Sequence, residues 1–358
     1  MTVFDEMSTA GHEQVLFCRN ASAGLAAIIA IHNTELGPSL GGVRFYPYTT
    51  KQDAIQDVLR LSRSMTYKAA LAGVDLGGGA AVIVGEQSIK KEALFRSFGR
   101  HVDSLNGRFI AAPDMNCTGQ DMNWIRRETA WVAGHSESIN GTGNPASNTA
   151  WGVYNGIRAC LENVYGSPDV SGRTIAIQGV GSVGYHLAKV LHDAGAILKY
   201  ADISERRLRM VTEEFGGKIV NDEVYVETPC DVLAPCAFGG ILNPDTIPRI
   251  RAPIIAGSAN NQLADESRDS AALDAAGLTY APDYVINSGG LIQMYAELNG
   301  HCPDLARQET TNIYHTMKHI IATAQSSKLN TIEASNQIAE KRIESVTQLS
   351  SLFIPSSR

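Results

Sequence analysis

Residues 174–188 read TIAIQGVGSVGYHLA, and this stretch decides how the second half of the chain folds. Its first five residues are an apolar run, which predicts a buried strand over Thr174–Gln178. Gly179, Gly181 and Gly184 follow with the spacing G-x-G-x-x-G and lead into a helical pattern. In this context the first glycine allows a tight turn, the second lets a pyrophosphate approach the backbone, and the third lets helix and strand pack closely. The stretch therefore predicts a dinucleotide-binding turn, with a ligand-free glycine turn as the alternative.

A carboxylate ends the next apolar run. Asp202 lies 23 residues after Gly179, the spacing expected of the group that accepts from an adenosine ribose 2′-hydroxyl. A carboxylate there repels a 2′-phosphate, so it favours NAD over NADP. Arg206 and Arg207 weaken that preference because either could receive a phosphate, although two solvated arginines at the start of a helix are the alternative. We expect NAD as the cofactor.

Strands alternate with helices along this part of the chain. The predicted elements are strand Thr174–Gln178, helix Gly184–Ala194, strand Ile197–Asp202, helix Glu205–Phe215 and short strands near Val232, Ile254 and Tyr284. This alternation predicts an α/β fold with a doubly wound parallel sheet and right-handed crossovers.

The first third of the chain mixes strands with helices. The predicted strands are Gln14–Arg19, Leu25–His32 and Ala80–Val84, and the predicted helices are Lys51–Leu71 and Lys90–Leu105. Thr50 and Asp53 provide a cap and an acidic first turn for the first of these helices, which we expect to end at Gly73.

The length of 358 residues suggests two domains, since one domain typically takes about 150 residues. Residues 135–147 are polar, contain Gly and Pro, and show no periodicity, so we place the linker there, before a helix over Asn148–Tyr165. The expected domains are 1–145 and 146–329, with a further helix near residues 330–350.

Charge and hydropathy exclude several partners. The 30 basic and 37 acidic residues give a net charge of −7 without a basic run, which argues against nucleic acid. The longest apolar run, Leu25–Ile31, is far shorter than the roughly 18 residues that span a bilayer. Asp5 and Glu6 do not fit a signal peptide. We therefore expect a cytoplasmic protein with no membrane partner, and we predict no metal site.

Eight blocks in a fixed order extend over nearly the whole chain. They are LGPSLGGVRFYPY (Leu36–Tyr48), RLSRSMTYKAALAGVDLGGG (Arg60–Gly79), APDMN (Ala112–Asn116), GNPASNTAWGV (Gly143–Val153), IQGVGSVGYHLA (Ile177–Ala188), APCAFGGILN (Ala234–Asn243), AGSANNQLA (Ala256–Ala264) and APDYVINSGGLI (Ala281–Ile292). Together they resemble the Leu/Phe/Val (Trp) amino-acid dehydrogenases, the short branch of the glutamate dehydrogenase superfamily.

The resemblance implies both an architecture and a reaction. It implies an N-terminal α/β substrate-binding and oligomerisation domain, a Rossmann NAD-binding domain, a cleft between them, and a C-terminal helix that packs back on the first domain. The implied reaction is reversible oxidative deamination of an L-amino acid to its 2-keto acid with NAD. The implied assembly is a homo-oligomer.

Three residues match the family's substrate chemistry. Lys68 resembles the lysine that binds the substrate carboxylate, and a solvated helix lysine is its alternative. Asp114 resembles the carboxylate that moves protons at the amine and the attacking water, and a turn or cap aspartate is its alternative. Asn261 resembles the asparagine that assists at the substrate carboxylate.

The remaining matching positions fall into a cofactor set and a substrate set. The cofactor set is Gly179, Val180, Gly181, Ser182, Val183, Gly184, Asp202, Ile203, Cys236, Ala237, Ala259, Asn260, Asn287 and Thr149. The substrate set is Leu40, Gly41, Gly42, Met65, Ala112, Leu291 and Met294, with Met115, Val285 and Ser288 as further candidates for the lining of the side-chain pocket. Ordinary core packing is the alternative for the apolar members.

The chain departs from the family at Ala80. The family pattern has a lysine after the glycine triplet, and that lysine acts as general base. Three explanations remain open: a deliberate lysine-to-alanine replacement that inactivates a dehydrogenase, a natural homologue with altered imine chemistry, or a catalytically silent protein that binds NAD and an amino acid.

The substrate is expected to carry an aromatic or large aliphatic side chain, with tryptophan or phenylalanine ahead of leucine. Methionines at Met115 and Met294 suit a pocket for a flat ring. No additional cation is evident for a second substrate carboxylate, which argues against glutamate.

Overall fold

The computed structural model describes residues 3–134, 144–300 and 302–348, and the chain forms two compact units. The first comprises Met1–Asn144, Met294–His301 and Ala339–Arg358, and the second comprises Pro145–Gln293 and Cys302–Ile338. Residues 135–143 of the predicted linker, which include Gly143, lie outside the described residues.

A five-stranded mixed sheet forms the centre of the first unit. Its strands are β1 (Gln14–Asn20), β2 (Leu25–Asn33), β3 (Ser39–Tyr46), β4 (Gly77–Val84) and β5 (Phe109–Pro113), in the order β1-β2-β4-β3-β5. β2 pairs antiparallel with β1 and β4, whereas β3 pairs parallel with β4 and β5. The parallel part brings the carboxyl ends of β3, β4 and β5 to one edge of the sheet.

Helices cover both faces of this sheet. They are α1 (Val3–Ala10), α2 (Lys51–Ala72), α3 (Glu92–Asp103) and α4 (Gly119–Arg126). On one face Ala54, Val58 and Leu61 of α2 pack on Ala80 and Val82 of β4. On the other face α3 and α4 contribute to a second apolar cluster that includes the alternate β4 residues. The period-two alternation of a strand therefore separates the two layers.

The termini of α2 follow the sequence prediction. The Thr50 hydroxyl accepts from the Asp53 N–H (3.1 Å), and the Asp53 carboxylate accepts from the Thr50 N–H (3.0 Å), which completes a capping box. The helix ends at Gly73, whose φ of 77° is left-handed.

The prediction for β4 was too short. The glycine triplet Gly77–Gly79 is part of the strand and does not precede it. Glycine has low strand propensity, but here the neighbouring chains leave no room for side chains: a Cβ at Gly79 would lie 2.8 Å from the Phe109 ring.

Two buried histidines lie between the N-terminal segment and α2. The His12 Nε2 contacts the Ser62 hydroxyl (2.9 Å), and the His32 ring contacts the Thr66 hydroxyl (2.8 Å) and the Ala10 carbonyl (2.9 Å). Their ring centroids are 4.8 Å apart. Burial lowers the pKa of both rings, that of His32 from 6.5 to about 4, with the charge of His12 as the second cause.

This histidine pair should make the fold sensitive to acid. Below pH 6.5 the unfolded chain takes up a proton at His32, whereas the folded chain does so only near pH 4. Stability contributed by the neutral ring is therefore present at pH 7 and is lost as the pH falls towards 4. We expect the free energy of unfolding to drop by about 2 kcal/mol from His32 between pH 7.5 and 5, measured by urea unfolding. His32→Gln, which does not titrate, should lose this part of the pH dependence, and an unchanged slope in that variant would contradict the assignment.

The second unit is built on a six-stranded parallel sheet. Its strands are β6 (Thr174–Gln178), β7 (Ile197–Ala201), β8 (Lys218–Ile219), β9 (Val232–Pro235), β10 (Ile254–Ile255) and β11 (Thr279–Tyr280), in the order β11-β10-β9-β6-β7-β8. All pairs are parallel. Counted from β6, this is the doubly wound order 3-2-1-4-5-6, whose ligand crevice opens between β6 and β9.

Helices before and after these strands complete the second unit, and two of them continue into the first unit. They are α5 (Ala146–Tyr165), α6 (Ser182–Asp193), α7 (Glu205–Phe215), α8 (Glu266–Ala275), α9 (Asp283–Ile286), α10 (Gly289–Leu298), α11 (Pro303–Thr311), α12 (Ile313–Ser327) and α13 (Thr331–Thr347). The strand predicted near Tyr284 was wrong, because Tyr284 lies in α9 and the strand is β11. The division between the units falls within α10 and α13. None of the helices in the described ranges is long and apolar enough to cross a membrane.

Arg342, in the part of α13 that belongs to the first unit, caps the end of α2. Its Nη1 donates to the carbonyls of Ala69 (3.1 Å), Ala70 (2.8 Å) and Val74 (3.1 Å), and its Nη2 donates to Asp75 (2.9 Å). Carbonyls at a helix C-terminus otherwise lack intrahelical partners. This arginine therefore fixes the end of the helix that carries Lys68.

Removing this cap should destabilise the first unit. We expect Arg342→Met, which keeps most of the aliphatic stem, to lower the free energy of unfolding by about 1–3 kcal/mol, because three carbonyls and one carboxylate each lose a charged donor, although Ala69 and Ala70 keep the N–H groups of Gly73 and Val74. Urea unfolding measures the change. Arg342→Lys should recover only a part, since one ammonium cannot reach all four acceptors. If Arg342→Met unfolds like the parent protein, the cap has no energetic role.

Candidate functional site

The glycine turn of the second unit has the geometry that its motif requires. Gly179 has a φ of 89°, and a Cβ there would lie 2.6 Å from the Cβ of Ala237. A Cβ at Gly184 would run into the Gly179 carbonyl, so α6 packs tightly on the turn. A Cβ at Gly181, by contrast, would lie 3.9 Å from the nearest protein atom. The space is therefore open at the one glycine where a pyrophosphate approaches the backbone.

The N-terminus of α6 faces this turn. Gly181 is its N-cap and has no side chain with which to cap it, and the N–H groups of a helix's first turn point towards the side on which an anion binds. Val183 lies in this first turn and Ser182 begins it. The observed cradle fits a dinucleotide pyrophosphate.

Asp202, at the end of β7, is tied to the glycine turn. Its Oδ2 accepts from the Val180 N–H (2.8 Å) and its Oδ1 accepts from the Ser204 N–H (2.8 Å). Its side chain is only 4% exposed. These bonds fix the carboxylate beside the turn, where it can accept from a ribose hydroxyl with its remaining lone pairs.

The glycine turn and Asp202 line one recess of about 230 Å³. It lies at the crevice expected of a doubly wound sheet. Its lining comprises Gln178, Gly179, Gly181, Asp202, Ile203, Arg207, Asp222, Cys236, Ala237 and Phe238. The structure thus brings six residues of the predicted cofactor set into one lining: Gly179, Gly181, Asp202, Ile203, Cys236 and Ala237. Val180 and Gly184 do not line the recess but support it: the Val180 N–H donates to Asp202, and Gly184 lets α6 pack on the turn.

Phe238 is a lining residue that the sequence reasoning missed. It is 67% exposed, and Ile203 on the same recess is 82% exposed. Large apolar side chains in such positions suit the faces of a flat ring such as adenine. The available signal was an aromatic residue in a glycine-rich loop directly after a parallel strand.

Four further residues of the cofactor set lie apart from this recess. The Asn287 side-chain amide donates to Asn260 Oδ1 (2.8 Å) and to the Ser258 carbonyl (3.1 Å). The buried Asn287 Oδ1 has no hydrogen-bond partner among the residues that the structure describes, which is costly unless a ligand donates to it. Ala259 is buried beside them, and the Thr149 hydroxyl donates to the Pro145 carbonyl (3.0 Å). An amide-bearing ligand such as nicotinamide fits the unsatisfied acceptor.

Asn261 has a strained backbone. Its φ of 53° is left-handed, and the Asp283 carboxylate accepts from its N–H (2.7 Å). Asp283 in turn accepts from the Tyr280 hydroxyl (3.1 Å). A non-glycine residue held in this region points to a functional constraint.

In the first unit Asp114 follows β5 and lies against β3. A Cβ at Gly42 would lie 2.6 Å from the Cβ of Asp114, so only glycine lets the two segments approach this closely. Asp114 Oδ2 accepts from the Arg44 Nε (3.1 Å), and the Arg44 Nη1 binds both oxygens of Asp57 (2.9 and 2.8 Å). The Tyr48 hydroxyl also donates to Asp57.

Arg44 is the central charge of this network and was not predicted from the sequence. Burial opposes its charge, but Asp114 and Asp57 outweigh that effect and raise the pKa of Arg44 above its ordinary value. Its side chain is 11% exposed. One guanidinium therefore orients and balances two carboxylates, and no short sequence motif links residues 44, 57 and 114.

The loop after Asp114 is braced from both sides. The Met115 carbonyl accepts from the Phe45 N–H (3.0 Å), and the Asn116 amide donates to the Phe45 carbonyl (3.0 Å). Lys90 donates to the Asn116 carbonyl (2.8 Å) and pairs with the buried Asp121 (2.6 Å). Asp114 is thus carried by a loop whose position is fixed by hydrogen bonds on both sides.

Ala80 lies in the middle of β4 on the face covered by α2. It is completely buried, pairs with Ala30 across β2 and packs with apolar α2 residues. A Cβ at Gly41 would lie 2.6 Å from the Ala80 nitrogen. Lys68 is half-buried in the last turns of α2.

The structure places the predicted pocket residues in different surroundings. Leu40 and Ala112 are fully buried in the first sheet, and Met65 on α2 is half-buried. Met294 is half-buried beside Gly134, which packs on Pro113. Met115 is 42% exposed, whereas Leu291, Val285 and Ser288 are buried in the second unit. Within the described ranges, no group of three or more His, Cys, Asp or Glu residues could hold a metal ion.

Comparison with known proteins identifies relatives over the full length. Residues 12–131 match the family described as "Glu/Leu/Phe/Val dehydrogenase, dimerisation domain", and residues 197–350 match "Glutamate/Leucine/Phenylalanine/Valine dehydrogenase". Leucine dehydrogenase of Geobacillus stearothermophilus is 45% identical, covering 99% of this chain and 96% of that protein. Phenylalanine dehydrogenase of Lysinibacillus sphaericus is 44% identical, covering 96% and 92%. The crystal structure of L-tryptophan dehydrogenase from Nostoc punctiforme superposes with a TM-score of 0.83 at 42% identity, covering 96% and 99%.

Proposed function

The chain belongs to the Glu/Leu/Phe/Val dehydrogenase family, and we propose that its reaction is the NAD-dependent, reversible oxidative deamination of an L-amino acid to a 2-keto acid. The observation that supports the cofactor is the glycine cradle with open space above Gly181 and Asp202 beside it. When bound, NAD supplies the hydride acceptor. The second unit's contribution is to bind and orient it.

Asp114 is the proton-handling group in this proposal. Its carboxylate is held by Arg44 and by a braced loop, so it can accept a proton from a substrate amine or from water without reorganising. Lys68 and Asn261 are proposed to bind the substrate carboxylate, the lysine as a compact cation and the asparagine through its amide.

Ala80 sets the level of activity that we propose. A methyl group cannot transfer protons, and we propose that the chain is an inactivated lysine-to-alanine variant of a dehydrogenase. A natural homologue with altered imine chemistry, or a catalytically silent protein that binds NAD and an amino acid, are the alternatives. All three bind the same ligands, and only the first recovers deamination when a lysine is restored.

The proposed substrate has an aromatic or large aliphatic side chain, with tryptophan or phenylalanine ahead of leucine. Identities of 45%, 44% and 42% to leucine, phenylalanine and tryptophan dehydrogenases do not separate these substrates. The apolar character of Leu40, Met65, Ala112 and Met294 supports the class, because none of them offers a cation to a second carboxylate.

Ligand binding tests this proposal without relying on turnover. NADH binding is followed by its fluorescence, and the NADH-saturated protein is then titrated with indolepyruvate, phenylpyruvate, 4-methyl-2-oxopentanoate and 2-oxoglutarate. We expect the aromatic keto acids to bind most tightly and 2-oxoglutarate most weakly. Tightest binding of 2-oxoglutarate would refute the substrate class.

A matched variant tests the cradle itself. Gly181→Val fills the space above the turn, where an added Cβ lies no closer than 3.9 Å to a protein atom, the flexible end of Arg207. The variant should therefore fold normally and lose NADH binding by at least about 100-fold, since the pyrophosphate can no longer reach the backbone N–H groups. Unchanged NADH affinity would show that the dinucleotide binds elsewhere.

We propose that the protein is a homo-oligomer. The first unit matches a domain described as a dimerisation domain. In that unit β1 pairs only with β2 among the described strands, so its outer edge offers unpaired backbone groups to a second copy. Sedimentation of the purified protein measures the subunit number.

A further inference from the structure

The two arginines at the start of α7 have different surroundings. Arg206 lines a surface recess with Arg209, Met210, Glu213 and Glu214. Arg207 lines the nucleotide recess together with Asp202 and Gly181. Adjacent helical residues point about 100° apart, which explains the separation. Only Arg207 is therefore placed to contact a bound dinucleotide.

The negative charge of the Asp202 carboxylate is partly balanced by neighbouring donors and by a cation. Both oxygens already accept backbone N–H groups, from Val180 and Ser204, at 2.8 Å. The Arg207 Nη1 lies 3.9 Å from Asp202 Oδ2. Two N–H dipoles and one cation thus offset the charge that normally repels a 2′-phosphate.

Arg207 also keeps donors available to a ligand. Its side chain is 47% exposed, and its Nη1 is the nearest atom to the open space above Gly181, at 3.9 Å. A guanidinium presents paired N–H donors that match a phosphate. The ribose 2′-position of a dinucleotide held by Asp202 would lie within its reach.

We propose that Arg207 is a specificity-determining residue that lets this site accept NADP(H) as well as NAD(H). The proposal rests on the proposed function, because it assumes that the recess binds a nicotinamide dinucleotide. Asp202 serves the ribose hydroxyl of NAD, whereas Arg207 receives the 2′-phosphate of NADP while Asp202 stays bonded to the turn.

The test compares four probes by titration calorimetry with the full-length protein: NADH, NADPH, 5′-ADP and 2′,5′-ADP. The last two isolate the adenosine end from the nicotinamide. We expect NADPH to bind within about tenfold of NADH. Arg207→Met should weaken NADPH and 2′,5′-ADP by about 10- to 100-fold, the effect of a lost charged hydrogen bond, and change NADH and 5′-ADP by less than about threefold.

Two variants keep the test specific. Arg206→Met removes the same charge from the neighbouring residue of α7. It should leave the affinities for all four probes within about threefold of those of the parent protein. Arg207→Lys should restore part of the NADPH affinity. If Arg207→Met weakens NADH and NADPH equally, the residue contacts a part that both share, the adenosine or the pyrophosphate above Gly181, and the proposal is overturned. NADH binding without measurable NADPH binding also overturns it, whereas failure of NADH itself to bind contradicts the proposed function.

Discussion

Ala80→Lys is expected to raise the rate of NAD-dependent deamination by about 10²- to 10⁴-fold, the contribution of one positioned acid–base group. Ala80 is fully buried on the sheet face that α2 covers. Arg44 reaches Asp57 of α2 on the same face and also binds Asp114. A lysine introduced there is desolvated, which lowers its pKa. The rate of NADH formation at 340 nm with phenylalanine or tryptophan measures the gain.

Ala80→Met is the matched control, since it adds a similar chain length without an amine. Both variants overfill an apolar cluster, so each should lose about 1–3 kcal/mol of stability. Only the lysine variant should gain activity. An Ala80→Lys protein that folds, binds NADH and still fails to deaminate would exclude the inactivated-dehydrogenase explanation and leave altered imine chemistry or a silent binding protein.

Arg44→Leu is expected to produce the second large effect, a loss of stability together with a loss of residual activity. The substitution leaves Asp114 and Asp57 without their shared cation, and the side chains of these residues are only 21% and 25% exposed. Breaking a fully buried pair costs about 3–5 kcal/mol. Because solvent screens this network in part, we expect about 2–3 kcal/mol in urea unfolding.

Arg44→Lys separates charge from geometry. A lysine keeps the positive charge but cannot bind both carboxylates through a planar fork. Stability should therefore recover by more than half, while the rate measured in the Ala80→Lys background stays low, because Asp114 is no longer held in one orientation. Equal recovery of stability and rate would mean that Arg44 acts through its charge alone. If Arg44→Leu keeps the parent stability and, in the Ala80→Lys background, also keeps the full rate, the network contributes to neither.

Local patterns in the sequence were sufficient for elements whose signals are local. The strand Thr174–Gln178 and the helix Glu205–Phe215 have the predicted bounds, because apolar runs and caps mark them. Gly77–Gly79 in β4 was missed, because only the close packing of neighbouring chains makes glycine suitable in that strand. Tyr284 was wrongly assigned to a strand, because the helix that contains it, α9, is too short to show a helical periodicity in the sequence.

The candidate site divides in the same way. The glycine turn and Asp202 lie in one continuous β-α-β segment, so their association could be predicted. The Arg44 network could not, since it depends on the parallel pairing of β3 with β5 and on the packing of α2. Likewise, two neighbouring arginines look alike in the sequence, and only the orientation of α7 distinguishes Arg207 from Arg206.

The close approach of β3 to β4 has a consequence for how this protein could evolve. Gly41 lies against the backbone of Gly79 and Ala80, so these strands are held together by main-chain atoms and not by the side chain at position 80. The pairing of β3 with β4 can therefore persist when the side chain at position 80 changes, although a larger side chain there must still be accommodated by the apolar cluster under α2. If the proposal for Ala80 holds, one exchange at this position separates ligand binding from catalysis without altering the strand pairing, and the same backbone serves both a catalyst and a receptor.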